Sequence, residues 1–172
     1  MRAALTPALT THRLELRPVE LEDAAFFVKL LNDPSWLQNI GDRGVHTIPE
    51  AESYIRSRIW SQYETYGYGM YVLRATGSAE PMGLCGLVRR EFLPGPDLGF
   101  ALLPEWVGSG FATEAAATVV AHAEGPLGIP SLYAITLPAN HRSIGVLLRL
   151  KFRREAALSL SDGDEVDLYV RP

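Results

Sequence analysis

The amino-acid sequence predicts an α/β fold: a mixed, mostly antiparallel sheet of six or seven strands flanked by four helices. Three strand-like segments follow one another without a helix between residues 69 and 103, which is typical of an antiparallel meander. Beyond residue 110, helical and strand-like periods alternate. This order excludes a purely doubly wound sheet, and a length of 172 residues fits a single domain, 1–172, with one sizeable core.

The chain opens with a predicted strand and a predicted helix. Residues 12–17 alternate polar and apolar side chains, as a half-buried strand does, and Pro18 ends the pattern. Apolar residues at helical spacing then predict a first helix over 24–31, and the acidic residues just before them are suited to its first turn. The run Asn32-Asp33-Pro34 is predicted to break this helix.

A second helix is predicted from its start signal. Thr47-Ile48-Pro49-Glu50 has the spacing of a capping box with proline in the first turn, and apolar residues continue on one face to about Tyr66. The segment between the two helices, Ser35–His46, contains two glycines and is predicted to be an irregular loop.

The remaining elements follow from apolar period and turn residues. A third helix is predicted to open near Gly110 and a fourth at residues 140–144, and the chain is predicted to close with a hairpin. The predicted strands are 69–73, 82–88, 98–103, 131–137, 152–158 and 165–170. The last of them is expected to be an exposed edge strand that the charges of Glu165 and Asp167 keep soluble.

Composition excludes several classes of function. A formal net charge of −4 argues against sequence-independent binding of nucleic acid or of an anionic membrane, and favours amine partners. The single cysteine, Cys85, is predicted to be a buried strand thiol, and the four histidines lack metal-ligand spacing, so no metal is expected. No apolar run approaches the roughly 18 residues of a membrane span. We therefore expect a cytoplasmic protein, either a monomer or a homodimer.

The strand-turn-helix segment from Leu98 to Ala117 carries the functional argument. Gly108 and Gly110 leave the amides of the turn unobstructed, and the helix that follows presents free N–H groups and the positive end of its dipole, which suits a phosphate or pyrophosphate. No Lys-Ser or Lys-Thr follows the second glycine, which excludes a P-loop. Thr113 stands where the third glycine of a dinucleotide-binding turn would be.

The segment Trp106–Ala115 resembles the acetyl-coenzyme A loop of the GNAT N-acetyltransferases, in the branch of the ribosomal-protein alanine and serine N-acetyltransferases. In that family a Gln/Arg-x-x-Gly-x-Gly/Ala turn binds the pyrophosphate through main-chain amides, and here Glu105 stands at the Gln/Arg position. Asn140-His141-Arg142-Ser143-Ile144 resembles a second family segment, in which Lys151 replaces the usual glycine. Arg13-Leu14-x-Leu16-Arg17 also matches, so the resemblance covers nearly the whole chain.

The resemblance implies a GNAT-like sheet and transfer of acetyl from acetyl-coenzyme A, the cosubstrate, to an amine by direct attack in a ternary complex. A bulge is expected to splay the strand 98–103 from its neighbour so that the pantetheine arm pairs with it, and the Leu102 amide is expected to polarise the thioester carbonyl. Ser143 is expected to donate to the leaving thiolate and Asn140 to hold the pantetheine amide. The implied cofactor-binding residues are Phe100, Ala101, Leu102, Val107, Gly108, Ser109, Gly110, Phe111, Ala112, Thr113, Asn140 and Ser143.

The acceptor half of the site stays open. Four side chains are candidates for the general base: Glu91, Asp97, His46 and Glu165. The family's acceptor site borders the predicted loop 35–46, so three further residues and again His46 are candidates for contact with the acceptor: Trp36, Asp42, Arg43 and His46. Carboxylates near the cleft, at Asp42, Glu91 and Glu165, are expected to attract a cationic amine, with a peptide or protein N-terminal α-amine slightly favoured over a small amine.

Two other classes of function remain at this stage. One is a coenzyme A-binding protein of the same fold that has lost catalysis and acts as a sensor or partner-binding module. The intact Ser143 argues against that reading, whereas Glu105 and Lys151 depart from the family pattern and leave room for it. The other is an unrelated α/β binding protein whose glycine turn is purely structural.

Overall fold

The structure, a computed structural model, describes residues 6–172 and consists of one eight-stranded sheet with helices on both faces. The strand order is β1-β2-β3-β4-β5-β6-β8-β7, and every neighbouring pair is antiparallel except β5 and β6. The strands are β1 (Leu9–Thr10), β2 (Leu14–Pro18), β3 (Met70–Ala75), β4 (Pro81–Arg89), β5 (Pro96–Leu102), β6 (Leu132–Thr136), β7 (Arg153–Ser159) and β8 (Glu165–Arg171).

Six α-helices surround the sheet in the described part of the chain. A π-helical segment, Ile55–Trp60, joins α3 to α4, so the predicted second helix runs unbroken to Tyr66. The helices are α1 (Ala24–Leu31), α2 (Pro34–Asn39), α3 (Ile48–Tyr54), α4 (Ser61–Tyr66), α5 (Phe111–Glu124) and α6 (His141–Arg149).

The α/β class, the mostly antiparallel sheet and the meander of β3, β4 and β5 are confirmed. The two-residue strand β1 raises the strand count to eight. Helix α2 lies where an irregular loop was predicted over 35–46. Asp33 explains the difference: its carboxylate accepts from the amide of Ser35 at 3.0 Å, and Pro34 fills the first turn. The helix-breaking run therefore also starts a new helix.

Strand β8 is interior, so the prediction of an exposed edge strand was wrong. It pairs with β6 on one side and with β7 on the other, and β7 forms the edge. Asp167 is 8% exposed and receives a hydrogen bond of 2.7 Å from Arg154 of β7. That guanidinium holds the pKa of Asp167 below its usual range. The charge of Asp167 therefore pairs with Arg154 within the sheet and does not serve to keep an exposed edge soluble.

The sheet separates two hydrophobic clusters. One cluster lies under α5 and α6 and includes Leu16, Cys85 and Val119. The other lies under α1 and α3 and includes Phe27, Ile55 and Leu84. Cys85 is fully buried, as predicted, and burial raises the pKa of its thiol, which makes it a poor nucleophile.

Lys151 adopts the left-handed conformation that a glycine usually supplies after a helix, with φ of +64°. The amide of Phe152 donates to Leu147 O and that of Lys151 to Leu148 O, both at 3.0 Å, which is the hydrogen-bond pattern of a Schellman motif. The exit of α6 is therefore regular despite the missing glycine.

Lys151→Gly should stabilise the fold by about 0.5–1 kcal/mol, because glycine escapes most of the steric cost of positive φ. In a chain of this size that corresponds to a rise in Tm of roughly 1–4 °C, measurable by calorimetry. Lys151→Ala is the control, since it removes the long side chain but keeps Cβ. An equal rise in both variants would assign the cost to the lysine side chain instead.

Candidate active site

Strands β5 and β6 touch at one point only and then diverge. Their single bridge pairs Asp97 with Tyr133, whereas β4 and β5 stay in continuous register from Gly83–Leu102 to Arg89–Pro96. The register thus shows no bulge between β4 and β5, and the predicted splaying occurs between β5 and β6. A cleft of about 1570 Å³ passes through this opening from α5 and α6 on one face to α2 and α4 on the other. This volume exceeds the ~300–1,000 Å³ of a pocket for one small molecule.

The edge of β5 that faces the cleft has unused main-chain groups. The amide of Leu103 donates to Met82 O at 2.8 Å. This bond shows which residues of β5 direct their main-chain groups toward β4 and which direct them away, because the two kinds alternate in an antiparallel pair. By this alternation Ala101 directs its N–H and C=O to Leu84, whereas Phe100 and Leu102 direct theirs into the opening. An extended ligand can therefore add to β5 like another strand.

The turn before α5 has the geometry of an anion cradle. Gly108 and Gly110 have φ of +95° and +80°, and a Cβ on Gly108 would meet nothing within 4 Å. The first main-chain bond of α5 runs from the amide of Glu114 to Gly110 O at 3.0 Å. The amides of Phe111, Ala112 and Thr113 therefore have no intrahelical acceptor and can bind a pyrophosphate.

Arg13 of the chain before β2 braces this turn. Its Nε lies 2.6 Å from the Glu114 carboxylate, its Nη1 donates to Ser109 O at 3.0 Å, and its guanidinium stacks on the Phe111 ring 4.3 Å from the centroid. Burial raises the pKa of Glu114, but hydrogen bonds from Thr11 and Arg13 outweigh this and hold that pKa below its ordinary value. The glycine turn is thus held in shape from across the sheet.

Arg13→Ala should weaken binding of coenzyme A several-fold and lower Tm, because the turn loses its brace. Arg74→Ala is the matched control: Arg74 has similar exposure and pairs with Glu15 at 2.7 Å between β2 and β3, whereas Arg13 bonds the glycine turn itself. Isothermal calorimetry should show weaker binding for Arg13→Ala alone. Equal affinity in the two variants would mean that the turn keeps its shape without Arg13.

Asn140 and Ser143 lie together at the start of α6, across the cleft from β5. Asn140 Oδ1 accepts from the amide of Ser143 at 3.2 Å, so Asn140 is the capping residue. The Ser143 hydroxyl, half-buried in the cleft wall, makes no hydrogen bond to the rest of the described chain. It is free to donate to a ligand.

Most of the predicted site residues meet in this cleft. Every implied cofactor-binding residue lines it except Ser109, whose carbonyl is bound by Arg13. Glu105 also lies outside the lining and pairs with Lys29 at 3.3 Å, whereas Val107 forms part of the wall.

Some of the candidates for acceptor contact and for the general base line the cleft, and others lie outside it. Trp36 and Arg43 line the cleft; Asp42 and His46 are outside the lining and lie 3.5 Å apart on the surface. Among the candidate bases, Glu91 and Asp97 line the cleft, whereas His46 and Glu165 do not.

Of the three carboxylates expected near the cleft, Asp42, Glu91 and Glu165, only Glu91 lines it. The carboxylates that line it are Glu91, Asp97 and Glu114, and the arginines that line it are more numerous: Arg43, Arg58, Arg89, Arg90, Arg142 and Arg149. Net charge is a property of the whole surface, so it gave no information about this wall.

Within residues 6–172 no group of three or more histidine, cysteine or carboxylate side chains has an arrangement that could hold a metal ion. No helix of the same part of the chain is long and apolar enough to cross a membrane.

Comparisons with known proteins agree with this geometry. The profile of the acetyltransferase (GNAT) domain matches residues 13–153. The uncharacterized N-acetyltransferase YoaA of Bacillus subtilis (strain 168) is 26% identical over 153 residues, which cover 88% of this chain and 86% of that protein.

Solved structures share the fold. The acetyltransferase from Agrobacterium tumefaciens str. C58 superposes with a TM-score of 0.82 at 24% identity, covering 96% of this chain and 94% of its own. RimL, a ribosomal L7/L12 alpha-N-protein acetyltransferase solved in complex with coenzyme A, has a TM-score of 0.82 at 19% identity, covering 96% and 97%.

Proposed function

The chain belongs to the GNAT family of acetyl-CoA-dependent N-acetyltransferases, and we propose that its acceptor is the α-amine at the N-terminus of a peptide or protein. The cleft, continuous from one face of the sheet to the other, carries this proposal, because donor and acceptor can enter from opposite sides. RimL, which has the same fold, is by its name an α-N-protein acetyltransferase. The acceptor end of the cleft also has exposed aromatic rings, Tyr66 and Phe92, against which a peptide can pack.

We propose a division of roles in which each group of the chain does one task. Bound acetyl-CoA supplies a thioester carbonyl, which the free amine attacks directly with loss of the thiolate. The α5 turn holds the pyrophosphate through the amides of residues 111–113. The Leu102 amide polarises the carbonyl, the Asn140 amide group orients the pantetheine arm, and the Ser143 hydroxyl donates to the thiolate.

The arginines of the acceptor end narrow the proposed class of peptide. Arg43 and Arg58 line this end and have no ion-pair partner within residues 6–172. Unpaired guanidinium groups favour carboxylates. The proposed acceptor is therefore an N-terminal segment in which acidic side chains follow the first residue.

An acetyl-transfer assay against a panel of amines tests this function. The panel contains Ala- and Ser-initiated peptides with either acidic or lysine-rich continuations, together with spermidine and an aminoglycoside. We expect turnover of the peptides, with a lower KM for the acidic set. Turnover of the small amines alone would overturn the choice of acceptor, and coenzyme A binding without turnover of any amine would favour the inactive binding module.

A further inference from the structure

The helical segment 48–66, which forms one wall of the acceptor end, carries two rows of side chains at four-residue spacing. One row is buried in the hydrophobic cluster under α1 and α3; we call it the core row, and it consists of Ala51, Ile55, Ile59 and Tyr63. The other row lines the cleft; we call it the cleft row, and it consists of Tyr54, Arg58, Gln62 and Tyr66.

The π-helical segment Ile55–Trp60 keeps both rows straight. An α-helix has 3.6 residues per turn, so a step of four residues overshoots a full turn by ~40°, and three such steps overshoot by ~120°. A row of four residues would thus spiral off its face. The i→i+5 hydrogen bonds of a π-helix wind the chain more slowly, so residues four apart stay nearly in line. The core row is buried over its whole length, and every member of the cleft row lines the cleft.

Contacts with the rest of the chain hold three members of the cleft row in place. The Tyr54 ring packs on a phenylalanine ring of α1 with centroids 6.2 Å apart, and the Tyr66 ring stacks on that of Tyr68 at 5.8 Å. The Gln62 side chain pairs with the main chain of Arg89 at the end of β4. Its Oε1 accepts from the Arg89 amide at 2.8 Å, and its Nε2 donates to the Arg89 carbonyl at 3.4 Å. The cleft row is thereby fixed to the sheet.

Arg58 is the fourth member of the cleft row, and its charge is unused. Its guanidinium lines the cleft but forms no hydrogen bond or ion pair with residues 6–172. Arg56, two positions earlier, lies outside the lining and pairs with Glu52 at 3.6 Å. A guanidinium binds a carboxylate through two parallel hydrogen bonds, so Arg58 is suited to an acidic group of a ligand.

The spacing of the cleft row matches that of an extended peptide. At the usual helical rise, residues four positions apart are separated by ~6 Å along the helix axis. Alternate side chains of an extended chain lie on one side and repeat every ~6.6–6.8 Å. A peptide laid along this helical segment can therefore set every second side chain against successive members of the cleft row.

We propose that the cleft row is the docking surface for an extended acceptor segment, and that Arg58 selects a carboxylate side chain at one position of that segment. This inference rests on the proposed function, since it requires a peptide acceptor. Arg43 lines the same end, but it lies in the connection between α2 and α3. Arg58 is carried by a helical segment that is fixed to the sheet, so its binding of a ligand costs less ordering.

The test moves one charged residue along an acceptor peptide. The parent is the Ala- or Ser-initiated peptide that wild type uses best, made with uncharged side chains, and its variants carry aspartate or lysine at each position from the second to the seventh. For wild type we expect aspartate to lower the peptide KM about 5-fold at one position, and by less than about twofold at the adjacent positions, whose side chains face the other way. Arg58→Glu should reverse the preference at that same position from aspartate to lysine.

Arg56→Glu is the matched control, because it makes the same change of charge two residues away and outside the cleft. It should leave the aspartate and lysine profiles as they are in wild type. Arg58→Gln removes the charge without reversing it, so it should lose the preference for aspartate and gain none for lysine. The rise in Tm with acetyl-CoA should be equal in all three variants and wild type, which shows that each variant folds and keeps its donor site.

The other outcomes overturn different parts of the proposal. An aspartate profile in wild type that is flat, or that rises equally at every position, refutes the docking surface and leaves the α-amine acceptor standing. A preference for aspartate at one position that persists in Arg58→Glu refutes the assignment to Arg58 and moves it to Arg43. No turnover of any peptide by wild type refutes the proposed acceptor, and this inference with it.

Discussion

Replacing Gly110 by aspartate should abolish the stabilisation that acetyl-CoA gives to the folded protein. In wild type, ligand at about 100 times its Kd should stabilise the fold by roughly 2.7 kcal/mol, because it binds only the native state. In a chain of this size that raises Tm by roughly 5–11 °C. The aspartate places a negative charge beside the amides of Phe111 and Ala112, where the pyrophosphate should bind, so the shift should fall to zero.

The matched control for that variant is Gly163→Asp in the β7–β8 turn. Gly110 and Gly163 have φ of +80° and +91°, so both substitutions force aspartate into the left-handed region, at a similar cost of roughly 1–2 kcal/mol. The new Cβ at residue 110 would lie 3.5 Å from Arg13 Nη2, so the aspartate meets a cation and the variant should fold. Gly163→Asp should keep the full shift with acetyl-CoA. A full shift in Gly110→Asp would move the binding site away from this turn.

Ser143→Ala should lower kcat about 100-fold while changing the KM for acetyl-CoA little. The hydroxyl is assigned to the departing thiolate, and removal of one such donor typically costs ~10²–10³ in kcat. Stability should barely change, because Asn140 caps α6 and the amide of Ser143, not its hydroxyl, is the bonded group. Steady-state kinetics and a melting curve together separate these effects.

Ser143→Thr provides the control for Ser143→Ala, since it keeps a hydroxyl on the same carbon. Its kcat should recover most of the lost activity. A fall in Tm for Ser143→Ala without a fall in kcat would assign the serine to the helix instead. Equal losses of activity in both variants would point to the space around residue 143 rather than to the hydroxyl.

The sequence predicted those parts of the site whose signals are local. The glycine turn and Asn140–Ser143 are contiguous patterns with a direct meaning in backbone terms, so they could be found without coordinates. The brace of the turn could not, because Arg13 and Glu114 are separated by 101 positions and only the folded sheet brings them together. The same holds for β8, whose interior place depends on its pairing with β6.

Charge was the least reliable guide. The formal net charge of −4 favoured amine partners, yet the residues that line the cleft include six arginines and three carboxylates. Net charge adds up the whole surface, whereas a cleft has its own local field. The general base shows the same limit: the sequence left four candidates, Glu91, Asp97, His46 and Glu165, and the fold brings only Glu91 and Asp97 into the lining of the cleft.

The two hydrophobic clusters on opposite faces of the sheet have a consequence for divergence. The donor-binding turn and α6 rest on one cluster, and the helices around the acceptor end rest on the other. Substitutions at distant sites without shared partners act nearly independently. Substitutions in α1, α2, α3 and α4 can therefore change the choice of acceptor while the layer that binds the donor keeps its shape. Related proteins can in this way share one donor-binding layer and differ in their acceptors.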